Sequence, residues 1–211
     1  MAVYEAVQID SSATVAPTAE IGVPYRRLQV GEWDRLNRKT TIGARCDIGP
    51  FCVVVEESQI GDDSILDTFC HLEGGVTLGK NVLLTHRASV GAKAKIGDGS
   101  IIGCSLVCER SVVGANCRVF GDLIHRQLDP TLPWDAPEAE ETSPCLEDDV
   151  FVGWGATLIG GINVGTGAYV CAGATVSKDV PAHHIVTGQN EIISPAKWRG
   201  ALAKSAFFPR D

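Results

Sequence analysis

Aliphatic residues recur at every sixth position along most of this chain. Between Ile42 and Cys108, eleven of the twelve positions on this step are Ile, Val or Leu, and glycine often follows the aliphatic residue. An earlier run at Ile9, Val15 and Ile21 resumes, shifted by three, at Val30 and Leu36. The main step is seen at Ile42, Ile48, Val54, Ile60, Leu66, Leu72, Leu78, Leu84, Val90, Ile96, Ile102 and Cys108, slips by one at Val113 and Val119, and returns at Leu146, Val152, Leu158, Val164, Val170 and Val176.

A strict period of six fits neither an α-helix, whose period is 3.6, nor a single strand, whose period is 2. It is typical of a parallel β-helix, in which each hexad supplies one short strand and one corner. We therefore predict an all-β fold in which three hexads close one triangular coil. The aliphatic residue should point inward, a small residue should fill the corner, and glycine should supply backbone angles that other residues avoid. Successive coils should stack ~4.8 Å apart around one apolar column.

The pattern also predicts the domain organisation. The β-helix domain takes in residues 1–188, with a register shift at 22–35 and an extruded loop at 120–145, and a tail at 189–211 carries a short helix. Prolines and acidic residues, including Glu138, Glu140 and Glu141, make strand or helix unfavourable in the loop. A loop of this length in a compact domain is usually functional or disordered, and Trp134 argues against a merely solvated linker.

Composition narrows the class of protein. The chain is 45% hydrophobic and 21% charged, with no apolar run long enough to cross a bilayer. Its net charge of −8 argues against nucleic acid or an anionic membrane as the main partner. The first residues show no signal-peptide pattern, so we expect a cytoplasmic protein whose eight cysteines stay reduced. The cysteines at inward corner positions should act as small hydrophobic residues: Cys46, Cys52, Cys70 and Cys117.

The rhythm resembles the hexapeptide-repeat acyltransferases, over roughly residues 9–188. The resemblance implies a left-handed β-helix and a homotrimer with active sites at the subunit boundaries. The family includes the maltose and galactoside acetyltransferases and the sugar-nucleotide N-acetyltransferases. The resemblance therefore implies acyl transfer, most often acetyl transfer from acetyl-CoA, to an amine or hydroxyl of a sugar, sugar nucleotide or small metabolite, without a metal.

The stretch "FGDLIHRQLDP", residues 120–130, lies where the rhythm stops. In the maltose enzymes the inserted loop opens on His-Pro-hydrophobic-Asp-Pro, and the histidine is the general base. The order here is similar, with one extra residue, so the role falls on His125, and Asp129 could orient the histidine or the acceptor. Imidazole is suited to removing a proton from an attacking amine or hydroxyl near neutral pH. His86 is the second candidate for the base.

The closing coils resemble the acetyltransferase segment that holds the pantetheine arm of coenzyme A. Small side chains there let the donor lie close to the backbone, and a lysine can meet phosphate. The predicted tail helix starts at Ser194–Pro195, and its basic residues Lys197, Arg199 and Lys204 could approach a CoA phosphate or could simply be solvated. The predicted donor-site residues are Trp154, Gly155, Ala172, Gly173, Ser177 and Lys178.

Two alternatives stay open at this point. Zinc carbonic anhydrases share the fold, but they carry two ligands as a close H-x4-H pair, which this sequence lacks. A non-catalytic β-helix scaffold or binding subunit would not need the loop histidine or the Ser-Lys-Asp-Val-Pro segment at 177–181.

Overall fold

The computed structural model describes residues 2–3, 6–27, 32–34, 39–126 and 142–197. Short strands dominate these residues and form three sheets whose strands run parallel, one sheet on each face of a triangular coil. The coils wind as a left-handed parallel β-helix, which confirms the predicted fold class.

The chain visits the three faces in turn. Face 1 holds Val7–Ile9, Thr40–Ile42, Gln59–Ile60, Thr77–Leu78, Lys95–Ile96, Val112–Val113, Cys145–Leu146 and Asn163–Val164. Face 2 holds Thr14–Val15, Asp47–Ile48, Ile65–Leu66, Leu83–Leu84, Ile101–Ile102, Arg118–Val119, Phe151–Val152, Tyr169–Val170, Ile185–Val186 and the antiparallel Ile192–Ile193. Face 3 holds Ala2–Val3, Glu20–Val23, Val53–Val55, His71–Leu72, Ser89–Val90, Leu106–Val107, Asp122–Ile124, Thr157–Ile159 and Thr175–Val176.

Two small elements lie outside the three parallel ladders. Tyr25–Arg27 and Glu32–Asp34 form an antiparallel hairpin. A 3-10 helix spans Pro195–Lys197, where the sequence predicts the start of a tail helix.

Residues one coil apart face each other across neighbouring strands, because a regular coil takes eighteen residues. Ile60 pairs with Leu78, for example, and Leu66 pairs with Leu84. The aliphatic side chains therefore stack in a column that is almost wholly buried, with Leu66, Leu72 and Leu84 at 0% exposure. The predicted small corner residues Cys46, Cys52, Cys70 and Cys117 are also buried.

The glycine after the aliphatic residue has a different role from the predicted one. These glycines do not adopt the left-handed backbone, which is adopted instead by later corner residues, both non-glycine ones such as Arg45 and Phe51 and glycines such as Gly155. At Gly61 an added Cβ would lie 2.4 Å from the carbonyl oxygen of Gly79 in the next coil. The repeat glycine is thus required because neighbouring backbones approach closely, and not because of its own backbone angles.

The rhythm shifts at two places that the sequence pattern assigns differently. Val107, and not Cys108, is the inward residue after Ile102, so the one-residue slip occurs one strand earlier than predicted. The predicted loop at 120–145 begins later, because Leu123 is buried and the strand Asp122–Ile124 continues the face 3 ladder. Four residues, rather than six, separate Val119 from Leu123, which hides this strand from a six-residue search.

Both insertions leave the coil at the same corner, between face 3 and face 1. Ile9 pairs with Ile42 and Val113 pairs with Leu146. Each separation is 33 residues, which is 15 more than a regular coil of 18. The first coil therefore stacks directly on the strand at 40–42, and the predicted resumption at Val30 and Leu36 lies outside the described residues.

The three corners form three edges along the prism, and each has its own chemistry. The acidic edge joins faces 1 and 2, the aromatic edge joins faces 2 and 3, and the His125 edge joins face 3 to the next face 1. The acidic edge carries Asp62, Asp63, Asp98, Asp148 and Asp149; the aromatic edge carries Phe51, Phe69, His86, Phe120 and Trp154; the His125 edge carries Lys93, Arg110, His125, Gly160 and Lys178.

Candidate active site

His125 follows directly after the strand Asp122–Ile124 and is half-buried. The next residue, Arg126, forms an antiparallel bridge with Thr142, so the two ends of the inserted loop meet beside the histidine. The backbone N–H of Gly160 donates to the carbonyl of Ile124 over 2.8 Å. The backbone at His125 is therefore held by the β-helix, although the loop beyond it leaves the coil.

Two glycines lie one strand further along the His125 edge and accommodate the base of the loop. An added Cβ at Gly160 would lie 3.2 Å from Cβ of Arg126, and one at Gly161 would lie 2.5 Å from Cβ of Thr142. The hydroxyl of Thr142 also accepts the backbone N–H of Gly161 at 3.0 Å. The six-residue pattern does not identify these residues; the signal in the sequence is the adjacent pair Gly160–Gly161, which departs from the repeat.

Ser177 and Lys178 lie on the same edge as His125. Leu158 pairs with Val176, so Ser177 lies one strand beyond Gly160. It lies two strands from His125, which is about 10 Å along the stack of coils. Asn190 fixes Ser177, since its Oδ1 accepts the Ser177 backbone N–H at 2.8 Å and its Nδ2 donates to the serine hydroxyl at 3.1 Å. Lys178 is exposed, so it can meet an anionic group of a ligand.

The other four predicted donor residues lie on the aromatic edge. Trp154 is 56% exposed and stacks on Phe120, with ring centroids 4.8 Å apart. Gly173 donates its N–H to the carbonyl of Trp154 at 2.9 Å, so Gly155 and Gly173 lie at equivalent corners of neighbouring coils. An added Cβ on either glycine meets nothing within 4 Å, which leaves an open strip of backbone beside the indole, with Ala172 exposed next to it.

The structure therefore divides the predicted site between two edges of one chain. His125, Ser177 and Lys178 share one edge, and Trp154 and its small neighbours share another, with face 3 between them. Within a single chain the histidine and the open glycine strip are not brought together.

His86, the second candidate for the base, lies on the aromatic edge. Its ring is exposed, contacts Phe69 edge-on at 5.8 Å, and lies 3.5 Å through Nδ1 from the hydroxyl of Thr68. Hydrogen bonds from Thr68 lower the pKa of the neighbouring Asp67 carboxyl, which keeps a negative charge near this histidine. His86 is thus on the same edge as Trp154 but in a different part of it.

Burial raises the pKa of the Cys171 thiol, which directly precedes Ala172 beside the open strip. This thiol is therefore protonated near neutral pH and acts there as a small neutral side chain.

Several predicted residues lie outside the described part of the chain. They include Asp129, Trp134, the acidic stretch at 138–141, Arg199 and Lys204. Lys197 is described, and it is exposed at the end of the 3-10 helix.

Across the described ranges, no three His, Cys, Asp or Glu side chains are grouped as a metal site requires. The described residues likewise contain no helix with the length and apolar character needed to cross a membrane.

Comparison with known proteins finds sequence relatives and structural neighbours of this chain. The Bifunctional protein GlmU of Exiguobacterium sp. is 33% identical over 164 residues, which cover 68% of this chain and 33% of that protein. The protein of the same name from Paraburkholderia xenovorans is 31% identical over 157 residues, covering 70% and 34%. A polysialic acid O-acetyltransferase, OatWY, aligns over 98% of this chain and 97% of its own with 11% identity and a TM-score of 0.47. No family model matches the sequence.

The repeats and the two GlmU relatives define the class, and the chain belongs to the hexapeptide-repeat acyltransferase family. It spans about a third of the length of the curated relatives that it matches.

Proposed function

We propose that the protein transfers an acyl group, most often acetyl, from coenzyme A to an amine or hydroxyl of a sugar, sugar nucleotide or small metabolite. The observation that carries this proposal is the placement of His125 at the base of the inserted loop, on the edge that also presents Ser177 and Lys178. A base is thus fixed about 10 Å from a hydroxyl and an ammonium group suited to the donor.

In the proposed reaction, His125 takes the proton of the acceptor N–H or O–H as that atom attacks the thioester carbonyl. A tetrahedral intermediate forms, and the carbonyl re-forms as the C–S bond breaks. The thiolate of coenzyme A leaves with the electron pair of that bond and takes up the proton from the imidazolium. Holding donor and acceptor on a rigid stack of coils supplies much of the remaining acceleration.

The open strip over Gly155 and Gly173, beside Trp154, is the proposed place for the pantetheine arm. An added Cβ on either glycine would meet nothing within 4 Å, so a ligand can approach the backbone there. Because this strip and His125 occupy different edges, we propose that a complete site combines the His125 edge of one subunit with the aromatic edge of the next. A closed ring of three subunits has this head-to-tail contact.

We propose a cytoplasmic location as well. Its support is that all eight cysteines are free thiols, which suits a reducing compartment.

Calorimetric titration with acetyl-CoA tests the proposal first. Saturable binding near one site per chain supports it, and the absence of binding overturns the transferase function. The next step is a panel of amines and hydroxyl compounds, with coenzyme A release followed by a thiol reagent added after the reaction is stopped and the protein removed.

Replacing the base tests the role of His125. In His125→Ala we expect kcat to fall by roughly 10²–10⁴-fold with little change in acetyl-CoA affinity, because a general base contributes about this much. His86→Ala, on a different edge, is the matched control. Undiminished turnover in His125→Ala together with a loss in His86→Ala would move the base to His86.

A further inference from the structure

A groove runs along the acidic edge, away from the proposed transfer site. Its volume is about 450 Å³, and it extends from Gly99 to His183. The polar side chains that line it between these ends are Asn116, Arg118, Asp149 and Thr166. Five successive corners contribute to the groove, so it is about 19 Å long.

Two glycines allow polar side chains of the next coil to pack closely against the backbone at the base of the groove. An added Cβ at Gly99 would lie 2.7 Å from Oδ1 of Asn116, and one at Gly167 would lie 2.5 Å from Nδ1 of His183. The amide and the imidazole are therefore positioned by the backbone of the neighbouring coil before any ligand arrives.

Three acidic side chains on this edge stabilise the coil through hydrogen bonds, whereas the charged side chains in the groove do not. The carboxylates of Asp62, Asp98 and Asp148 each accept a backbone N–H from the preceding coil, at 3.0, 2.8 and 2.7 Å. Within the described part of the chain, the side chains of Arg118 and Asp149 make no hydrogen bond or ion pair. The coil thus leaves both charges available to a ligand.

Asn116 and His183 add two further polar groups. The Asn116 amide has no hydrogen-bond partner among the described residues, and neither does the buried Nδ1 of His183. The groove therefore offers both donors and acceptors whose hydrogen-bonding capacity is unused.

Aromatic rings adjoin the polar lining on face 2. Arg118 pairs in register with Phe151, and Phe151 stacks on Tyr169 with centroids 4.8 Å apart and planes 6° apart. A flat apolar surface next to amide, guanidinium and carboxylate groups can take the C–H face of a sugar ring while the polar groups take its hydroxyls.

We propose that this groove binds an oligosaccharide. Hydroxyl groups both donate and accept, so they satisfy a lining that carries both signs of charge, whereas a simple anion would face Asp149 and a simple cation would face Arg118. The length of the groove suits two or more linked rings better than a single small metabolite. The proposal is independent of acyl transfer, because the groove occupies another edge.

Titration in the absence of acetyl-CoA tests the proposal with neutral di- and trisaccharides of glucose and of N-acetylglucosamine as probes. Binding is read by ligand-observed NMR and calorimetry, with inorganic phosphate as the comparison ligand. Asn116→Gly and Asp149→Gly remove the side chains without backbone strain, since both residues have a left-handed φ of 55° and 60°. Asn81→Gly is the matched control, because Asn81 has a φ of 54° on the same edge but lies outside the groove.

We expect at least one saccharide to bind the native protein, and Asn116→Gly and Asp149→Gly each to weaken that binding by about tenfold. Asn81→Gly should bind as the native protein does. Equal affinity in all three variants would overturn the proposal, as would the failure of every saccharide to bind. Phosphate binding that is lost in Arg118→Gln, without saccharide binding, would identify an anion site instead.

Discussion

At the scale of single residues, the tightest packing is at the repeat glycines, where the backbone of one coil approaches that of the next. The glycine after each inward aliphatic residue lies against the backbone of the following coil, as Gly97 does against Gly114 and Ala115 at 2.5 to 2.6 Å from an added Cβ. A methyl group there would have to displace backbone, which cannot move without breaking the hydrogen bonds between strands. These glycines are thus a packing requirement of the fold.

Gly61→Ala should therefore destabilise the protein more than an alanine at an exposed corner glycine. The Cβ would lie 2.4 Å from the carbonyl oxygen of Gly79, and overpacking of this kind costs roughly 1–3 kcal/mol or more. Gly155→Ala is the comparison, because its Cβ meets nothing within 4 Å and only its left-handed backbone opposes the change. Urea unfolding measures both variants; a smaller loss of unfolding free energy at Gly61 than at Gly155 would contradict the packing argument.

The cysteines differ in reactivity because they differ in burial. Burial raises the pKa of the Cys117 thiol to about 11 and also raises the pKa of Cys46 and Cys108. Cys104 is the one cysteine among the eight that is exposed. A buried protonated thiol reacts slowly with disulfide reagents, since the thiolate is the nucleophile.

A chromogenic disulfide reagent at mildly alkaline pH should thus label Cys104 rapidly in the native protein. The buried thiols should react only on unfolding, when all eight become accessible. Cys104→Ser should remove the fast phase and leave the unfolded total at seven. Cys145 and Cys171 are partly buried and should react at intermediate rates. Rapid labelling of the five buried thiols in the native protein would show that the coils open far more readily than the buried column implies.

At the scale of elements, the corners are supported by side chains that bridge coils. The Glu147 carboxylate accepts both the backbone N–H and the hydroxyl of Thr166 in the next coil, at 2.8 and 2.7 Å. These bonds lower the pKa of Glu147, and the ion pair with Arg45 similarly lowers that of Asp63. Each of these interactions is stronger when the carboxylate is ionised.

The fold should therefore lose stability in acid. A carboxyl whose folded pKa lies below its ordinary value contributes stability above the ordinary pKa of about 4 and loses it as the pH falls through the folded value. Thermal melts from pH 7 down to pH 3 should show a falling Tm, and Glu147→Gln should reduce the slope. Glu109→Gln is the control, because its carboxylate accepts no hydrogen bond within the described residues. Parallel curves for the two variants would remove Glu147 as a contributor.

The sequence predicts those strands whose inward residues keep the six-residue spacing. Every inward residue from Ile42 to Ile102 follows from the six-residue step, because each strand buries one aliphatic side chain at the same place in the coil. The strand at Leu123 breaks the spacing, so only its pairing with Leu158 reveals it. Likewise, the spacing along the sequence assigns His125 and Trp154 to one site, because it does not show on which edge of the prism each residue lies.

At the scale of the whole molecule, the apolar surface is unevenly distributed. Among the described residues, the large apolar side chains that remain exposed include Phe51, Phe69 and Trp154 on the aromatic edge and Ile65 on the adjoining face 2. Phe51 and Phe69 stack on neighbouring corners with ring centroids 5.0 Å apart, and an exposed apolar patch of this kind marks an interaction site. It supports a second copy of the chain at the aromatic edge.

Light scattering after gel filtration should give a mass near three chains of 22.4 kDa. Phe69→Glu should shift the protein toward single chains, because it puts a charge into the proposed contact, where the native ring is 52% exposed in one chain. Val112→Glu, on face 1 at 40% exposure, is the matched control and should keep the native mass. A single-chain mass for the native protein would contradict the shared site.

A site shared between subunits also predicts that two poorly active variants recover activity when mixed, which the mass of the assembly does not test. His125→Ala and Trp154→Ala should each be poorly active alone, since one lacks the base and the other lacks the wall of the open strip. If a site takes His125 from one subunit and Trp154 from the next, then mixed trimers contain some sites with both native residues. With random exchange of equal amounts, one contact in four joins the intact His125 edge to the intact aromatic edge, so activity should recover to about a quarter of the native value. Mixing without exchange should give no recovery and is the control; no recovery after proven exchange would overturn the shared site.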